Sequence, residues 1–389
     1  MNQAVIRTEV DTYLRAHLPE NAAAFMLRKH PFDKLSNQEL TQQLVGLQKA
    51  RHKFPSLFEN HHIMYPPKVN LEQTSSEITA VYKSQLYQID SMIDLTGGFG
   101  IDVSAFAKAC PSTTHIELSK SVQEYAQHSF QVQGILTKSF QSDGIQYLKG
   151  NQEFYDLIYL DPSRKTATHT KAILLQDYEP NVIKNLELLL HSGKRLMIKT
   201  SPMLDITAGI KQLEKVSSLH IVAVKNEVKE LLWVLTNEEV SHVSLTCINL
   251  LTEQPIFKSI LGASLSATYS KPQKYLYEPN AAVMKSQQFA SLMQQYAVQK
   301  LDQDAHLFTS EKLIDFPGRV FEIKKVSLNK SKILKRLYAK SARAIVTRNN
   351  KETVAQLRKK YQFSEHETNY LFFTSSQELG AIVIEVVKV

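Results

Sequence analysis

The sequence predicts an α/β fold: a doubly wound, Rossmann-like parallel sheet in the middle of the chain, with a helical segment before it and an α+β region after it. Three observations predict this. Short apolar runs at 91–95, 114–117, 156–160 and 195–199 alternate with helical stretches, the pattern of βαβ units whose sheet is covered on both faces. A glycine-rich turn, Asp94-Leu95-Thr96-Gly97-Gly98-Phe99-Gly100, follows the first run and precedes an amphipathic helix over 103–109. Two further runs, 220–224 and 231–235, are separated only by residues 225–230, too few for a crossover helix, so they should pair antiparallel.

A chain of 389 residues exceeds what one hydrophobic core serves at roughly 100 to 200 residues per domain. The expected division is 1–84, a helical cap; 85–236, the doubly wound domain; and 237–389, the α+β region. Residues 1–60 read as helical, with Ser36 and Glu39 spaced as a capping box ahead of Leu40, Leu44 and Leu47 on one face. Tyr65-Pro66-Pro67 breaks that pattern, and 71–77 leads into a helix ending near Tyr82. Beyond Thr236, strands are expected at 243–251 and 262–269 and a helix at 281–298. The remainder reads as a helix over 328–340, a strand at 344–347, a helix over 351–361, and strands at 370–374 and 381–387.

Composition narrows the function classes. Hydrophobic residues at 43% and charged residues at 22% are the balance of a globular protein rather than a disordered or fibrous one. Arg7, Glu9 and Asp11 fall where a signal peptide would carry its apolar core, and no run approaches the roughly 18 apolar residues of a membrane span, so a cytoplasmic location is expected. Cys110 and Cys247 stand far apart and outside any metal-ligand spacing; buried free thiols are expected, and no metal. The net charge of +8 is concentrated at the C-terminal end. Residues 319–360 hold 14 Lys and Arg against only Glu322 and Glu352, a candidate surface for a polyanion. Lys332, Lys335 and Arg336 could contact phosphates there, with Tyr338 interleaved for stacking; the alternative is the solvated stripe of an amphipathic helix.

The glycine-rich turn carries the clearest chemistry. Gly97, Gly98 and Gly100 let the backbone approach a ligand closely and aim helix N–H groups at it, which suits a nucleotide-like cofactor. Glu117 ends the next strand 23 positions after Asp94, near the offset at which an acid meets ribose hydroxyls. Asp143 follows a third strand, where it could bond an adenine amine or cap the next helix. Three acids at three consecutive strand ends are informative together, because ligands of such sheets bind at the carboxyl ends of strands. Leu160-Asp161-Pro162-Ser163-Arg164-Lys165 places a rigid turn at the same edge, presenting the Asp161 carboxylate to the cleft. Lys199 follows the next strand and either lines that cleft or is solvated. A nicotinamide site fails on spacing, since the third glycine of GxGxxG would fall at Val103, and no Gly-Lys-Ser/Thr supports a phosphate loop.

These residues bring a family into view. The chain resembles the bacterial class I methyltransferases that carry a C-terminal THUMP-like domain and are regarded as RNA methyltransferases. The resemblance rests on 71–83 (LEQTSSEITAVYK), 94–102 (DLTGGFGID), 160–165 (LDPSRK), 198–204 (IKTSPML), 277–286 (YEPNAAVMKS), 316–322 (FPGRVFE) and 342–374, thinning over the first 40 residues. It implies a pocket for S-adenosylmethionine (SAM) formed by Gln73, Ser75, Ser76, Asp94, Gly97, Gly98, Gly100, Glu117 and Asp143. Asp161 would face the methyl group, with Ser163 and Arg164 as the other candidate catalytic residues, and Lys165, Lys199, Lys332, Lys335 and Arg336 would meet a structured RNA. Methyl transfer from a sulfonium needs in-line placement of the acceptor and accommodation of its changing charge, which such a turn can supply. Better-known amine methyltransferases put an aromatic ring where this chain has Arg164 and a second proline where it has Ser163, so ring carbon and ring nitrogen acceptors stay open beside an exocyclic amine. Two other readings stand beside the RNA methyltransferase: a nucleic-acid-binding protein with a vestigial SAM domain, and a small-molecule methyltransferase.

Overall fold

The computed structural model describes residues 1–164, 175–263 and 265–389, and of Arg164 the backbone alone. The described chain divides into two units, Met1–Ser217 with Leu232–Val240, and Ser218–Leu231 with Ser241–Val389.

The first unit opens with helices α1 (Thr8–Ala16), α2 (Ala22–Met26), α3 (Asn37–Lys53), α4 (Pro55–Glu59), α5 (Lys68–Gln73) and α6 (Glu77–Ser84). The expected capping box starts α3: Ser36 Oγ accepts from the Glu39 N–H at 3.2 Å and the Glu39 carboxylate accepts from the Ser36 N–H at 2.8 Å. Leu40, Leu44 and Leu47 are buried with Phe54, Leu57 and Tyr65, and the same cluster takes in Phe99, Ile101 and Ala105 from the glycine-rich turn and the helix after it. The helical segment and that turn therefore share one core.

Strands β1 (Ser91–Asp94), β2 (Ser112–Glu117), β3 (Lys138–Gln141) and β4 (Tyr155–Leu160) alternate with α7 (Ile101–Phe106), α8 (Lys120–Gln133) and α9 (Gly144–Gly150). A short pair follows, β5 (Ser163–Arg164) with β6 (Tyr178–Glu179), then α10 (Leu186–His191), β7 (Gly193–Thr200) and α11 (Ile206–Leu213). The parallel order is β7-β4-β1-β2-β3, so the winding reverses between β1 and β4. Clefts for ligands form at such a reversal, outside the carboxyl ends of the strands. The antiparallel hairpin is present as β8 (Val216–Val224) and β9 (Glu227–Leu235), turned by Lys225 and Asn226, both at positive φ as a two-residue type I′ turn requires.

The second unit pairs β10 (Ser244–Leu250) in parallel with β8 and adds β11 (Phe257–Ile260) antiparallel to it. Next come β12 (Tyr275–Pro279), α12 (Ala281–Ser286), α13 (Phe289–Tyr296), β13 (Gln299–Lys300), β14 (Phe308–Ser310), β15 (Gly318–Leu328), α14 (Ser331–Tyr338), β16 (Ala344–Thr347), α15 (Val354–Tyr361), β17 (Asn369–Ser376) and β18 (Gly380–Lys388). Their sheet runs β13-β14-β12-β15-β18-β17-β16. Alternation along β17 sends Leu371 and Phe373 toward Leu334 and Tyr338 of α14 and Leu357 of α15, and Phe372 into a cluster with Phe321 and Ile384.

Three expectations for this region are corrected. Residues 262–269 form no strand where described; the strand lies earlier, at Phe257–Ile260, and Tyr269 makes only an isolated bridge to Lys300. The helix expected over 281–298 is two, because Gln287 takes a left-handed φ of 55° that interrupts it. The helix expected from residue 328 starts at Ser331, since β15 extends to Leu328; its adjacent Lys324 and Lys325 give the strand the look of a solvated loop. No helix among the described residues is long and apolar enough to cross a membrane. Both cysteines are buried and free.

Candidate cofactor and active site

The tip of β1 is the hub. Asp94 is buried, and its Oδ1 accepts from the Thr96 N–H at 2.9 Å and from the Thr96 hydroxyl at 3.2 Å. Thr96 Oγ1 in turn accepts from the Asp161 N–H at 2.7 Å, which ties the Asp-Pro turn after β4 to the turn after β1. The Asp161 carboxylate forms an ion pair with Lys199 from β7. Asp94, Asp161 and Lys199 thus stand on three adjacent strands, at the point where the winding reverses.

Glu117 at the end of β2 holds the other side of the turn. Its Oε2 accepts from the Gly98 N–H at 2.9 Å and its Oε1 from the Ser119 N–H at 2.7 Å. Gly100 caps α7 at φ 80°, and a Cβ at Gly97 would meet the His115 ring at 2.3 Å, so glycine is required at both. Burial holds His115 down to about 4, and the neutral ring donates Nε2–H to the Gly98 carbonyl at 3.1 Å. Its Nδ1 is then the acceptor for the Ser139 hydroxyl at 3.0 Å.

Behind this edge lies a buried ionic network. Lys83 of α6 has no exposed surface; its Nζ lies 3.0 Å from Asp102 Oδ1 and donates to Ser75 Oγ at 2.8 Å. Ser75 donates to Asp102 Oδ2 at 2.8 Å, as Tyr159 does at 3.1 Å. Burial would raise the Asp102 carboxyl, but Lys83, with Lys199 and Ser75, outweighs it and holds the group below the ordinary value. Asp94 goes the other way: burial first, then the adjacent Asp102, push it well above the carboxylate range despite the Thr96 hydrogen bonds. Lys53, at the end of α3, donates to the Leu71 carbonyl at 2.8 Å, and burial followed by the charge of Lys199 lowers it to about 8.

The residues named from sequence therefore occupy different settings. Asp94, Gly97, Gly98, Gly100, Glu117, Asp161 and Lys199 gather at one sheet edge. Ser75 belongs to the buried network, Ser76 caps α6 by accepting from the Thr79 N–H, and Gln73 is exposed at the end of α5. Asp143 caps α9, its Oδ1 accepting from the Gln146 N–H at 2.9 Å. Ser163 is exposed in β5; Lys165 and the side chain of Arg164 lie outside the described residues. Lys332, Lys335 and Arg336 are exposed on α14 and form no ion pair with a described residue. Tyr338 is corrected: it is buried against the sheet and donates to Glu385 at 3.2 Å, so its ring does not serve a base. Sequence reasoning missed Thr96, Lys53, Lys83 and Asp102. Thr96 and Asp102 stand inside the quoted glycine-rich motif, where their positions were a usable signal; Lys83 closes the quoted stretch 71–83 but nothing there marked it as buried, and Lys53 carried no signal.

The residues fit SAM on three counts. A Cβ built at Gly98 would meet no atom closer than 3.8 Å, so the backbone there is open to a ligand. Glu117 keeps lone pairs beyond the two bonds it accepts, as ribose hydroxyls need. The raised Asp94 carboxyl is a group that a cation would return to its charged form.

Comparison with known proteins follows the same outline. A ferredoxin-like domain family matches residues 275–317 and a THUMP domain-like family matches residues 318–387. The chain superposes on the crystal structure of a candidate methyltransferase from Porphyromonas gingivalis W83 with a TM-score of 0.88 and 26% identity, over 100% of this chain and 99% of that one. A candidate class I SAM-dependent methyltransferase from Listeria monocytogenes aligns at 12% identity and a TM-score of 0.39, over 64% of this chain and 95% of that one. A T. thermophilus 16S rRNA N2 G1207 methyltransferase, solved with AdoMet and guanosine, aligns at 12% identity and a TM-score of 0.32, over 44% of each chain. Scores this low do not bear on residue roles. A search of curated proteins returns no match. The chain is accordingly a protein of the class I methyltransferase fold whose residues 318–387 form a THUMP-like domain.

Proposed function

We propose that the chain is a cytosolic SAM-dependent methyltransferase acting on RNA, with 85–236 as the catalytic domain, 1–84 supporting it and 237–389 gripping the RNA. One observation carries the reading: Asp94 and Asp161, from the two strands that flank the winding reversal, are joined through the hydroxyl of Thr96, in the same turn whose Gly98 N–H is held by Glu117. When bound, SAM supplies a methyl group activated on a sulfonium cation. Glu117 would hold the ribose hydroxyls and the backbone of Gly97 and Gly98 would lie against the cofactor, while Asp94 would balance its cationic end. Gln73, Ser76 and Asp143 would complete the rim of the pocket, and Ser75 would act through Asp102.

Asp161 and Lys199 would position the acceptor. The carboxylate would accept an N–H from the target base and the ion pair with Lys199 would hold it in place, so charge appearing on the acceptor meets a fixed counter-charge rather than water. Ser163, Arg164 and Lys165, the next residues in the sequence, would contact the substrate. The RNA assignment is supported by the THUMP-like match and by the exposed cations of α14.

The deciding experiment incubates the protein with labelled SAM and total RNA from a strain lacking it, then identifies the modified nucleoside by mass spectrometry. Transfer to RNA, lost in Asp161→Ala with SAM binding retained, is the expected result. SAM binding by the wild type without transfer to any RNA would leave a binding protein instead.

A further inference from the structure

Two stretches behind the family resemblance, 277–286 and 316–322, come together in the second unit. Glu278 of β12 is the register partner of Arg319 of β15, so both side chains leave the same face of the sheet. Gly318 allows the approach: a Cβ there would lie 2.0 Å from the Glu278 carbonyl oxygen. The buried Glu278 carboxylate accepts from Arg319 Nε at 2.7 Å and from Arg348 Nε at 2.6 Å. One carboxylate thus fixes two guanidinium groups, and the triad keeps one positive charge in excess. A guanidinium carries five N–H donors, so each arginine retains donors beyond those given to Glu278.

Both arginines line a cavity of about 390 Å³, a volume typical of small-ligand sites. Its wall also holds Gln254, whose amide accepts from Asn249 and Asn280 at 2.9 and 3.0 Å and donates to the Gly318 carbonyl at 3.1 Å. His306 lines it as well. Its backbone sits at φ 49°, uncommon for a residue with a side chain, and its ring stacks on Phe289 at 4.5 Å. The His306 Nδ1 is buried with no hydrogen-bond partner among the described residues. Only Glu278 of the triad is buried; the Arg319 and Arg348 side chains stay partly exposed, so their remaining N–H donors can reach an anion.

We infer that this cavity is a nucleotide site, with Arg319 and Arg348 taking the phosphate and His306 and the fixed amides taking the attached sugar or base. The assignment goes beyond methyl transfer and does not depend on it. A free nucleotide and a nucleotide within an RNA chain share the required chemistry. Asp304, exposed on the same lining, is the opposing charge.

The test titrates the full-length protein in a calorimeter with 5′-AMP, then inorganic phosphate, then a 5′-phosphorylated single-stranded oligonucleotide, with SAM binding measured separately. Saturable AMP binding is expected, weakened at least tenfold in Arg348→Gln and tightened several-fold in Asp304→Asn, both with unchanged melting profiles. An oligonucleotide that competes with AMP and binds more tightly identifies the polymer as the source; one that does not compete identifies the free nucleotide. No binding of any probe to the wild type overturns the assignment, as does AMP affinity unchanged in folded Arg348→Gln. Should that variant misfold, unchanged affinity in Asp304→Asn overturns it equally. Loss of SAM binding alone would count against the methyltransferase reading and leave this one standing.

Discussion

Asp161 hangs on Thr96: its backbone N–H donates to the Thr96 hydroxyl at 2.7 Å, and that hydroxyl donates onward to Asp94 at 3.2 Å. A single side chain therefore sets the distance between the turn proposed to hold the cofactor and the turn proposed to hold the acceptor. Thr96→Val keeps the shape and removes both bonds. The expected outcome is a fall of roughly 10- to 100-fold in kcat, with the SAM Kd changed about threefold or less, because misplacement acts mainly on the reacting geometry. Steady-state kinetics beside calorimetry check it; equal losses in both quantities would show that Thr96 serves binding instead.

SAM affinity should rise with pH. Burial and Asp102 push the Asp94 carboxyl well above its ordinary value of 3.8, so the free protein keeps a proton there that a cationic ligand must expel. Affinity then climbs until Asp94 is ionised without ligand, and levels off. The same shift means that the folded state binds the proton more tightly than the unfolded chain. This group's contribution to stability is thus full below 3.8 and declines as pH rises toward the folded value. Asp94→Asn should bind SAM more weakly, lose the pH dependence and melt higher at neutral pH without ligand. Calorimetry in buffers of different ionisation enthalpy, with thermal melts across pH, decides each part.

Removing Lys83 should cost far more than its single charge suggests. It is fully buried against Asp102, and deleting one member of such a pair strands the other away from water, typically at about 3 to 5 kcal/mol. Lys83→Met should lower stability by that amount in chemical denaturation, and adding Asp102→Asn should recover a large part. A double variant as unstable as the sum of the singles would show that the two residues are not coupled.

Replacing Lys332, Lys335 and Arg336 together by Gln should leave α14 folded, since Leu334 and Tyr338 anchor its other side. RNA affinity should fall, and the slope of log affinity against log salt should flatten by roughly 2 to 3, the effect of three lost phosphate contacts. Filter binding across a salt series measures it. An unchanged slope would mark the stripe as a solvated face.

What could be read in advance was what is local in sequence. The tip of β1 was legible because the apolar strand, the glycines and the next strand's acid follow one another within residues 91–117. The hairpin of β8 and β9 was legible from loop length alone. Asp143 read equally as a cap or a ligand, because one short acidic side chain after a strand serves either, and it caps α9. Lys83 and Lys53 were not legible, since a lysine on a helix reads as solvated until the tertiary fold buries it. The break at Gln287 had neither Gly nor Pro to announce it, and the charges of β15 masked its alternation.

The apolar cluster joining Leu40, Leu44 and Tyr65 to Phe99 and Ile101 has a consequence for cooperativity. Opening α3 strips the support from beneath the loop that carries Gly97 and Gly98, so the two should come apart as one foldon. Hydrogen exchange in the N-terminal helices would then report whether the glycine-rich loop packed on them has taken up a ligand.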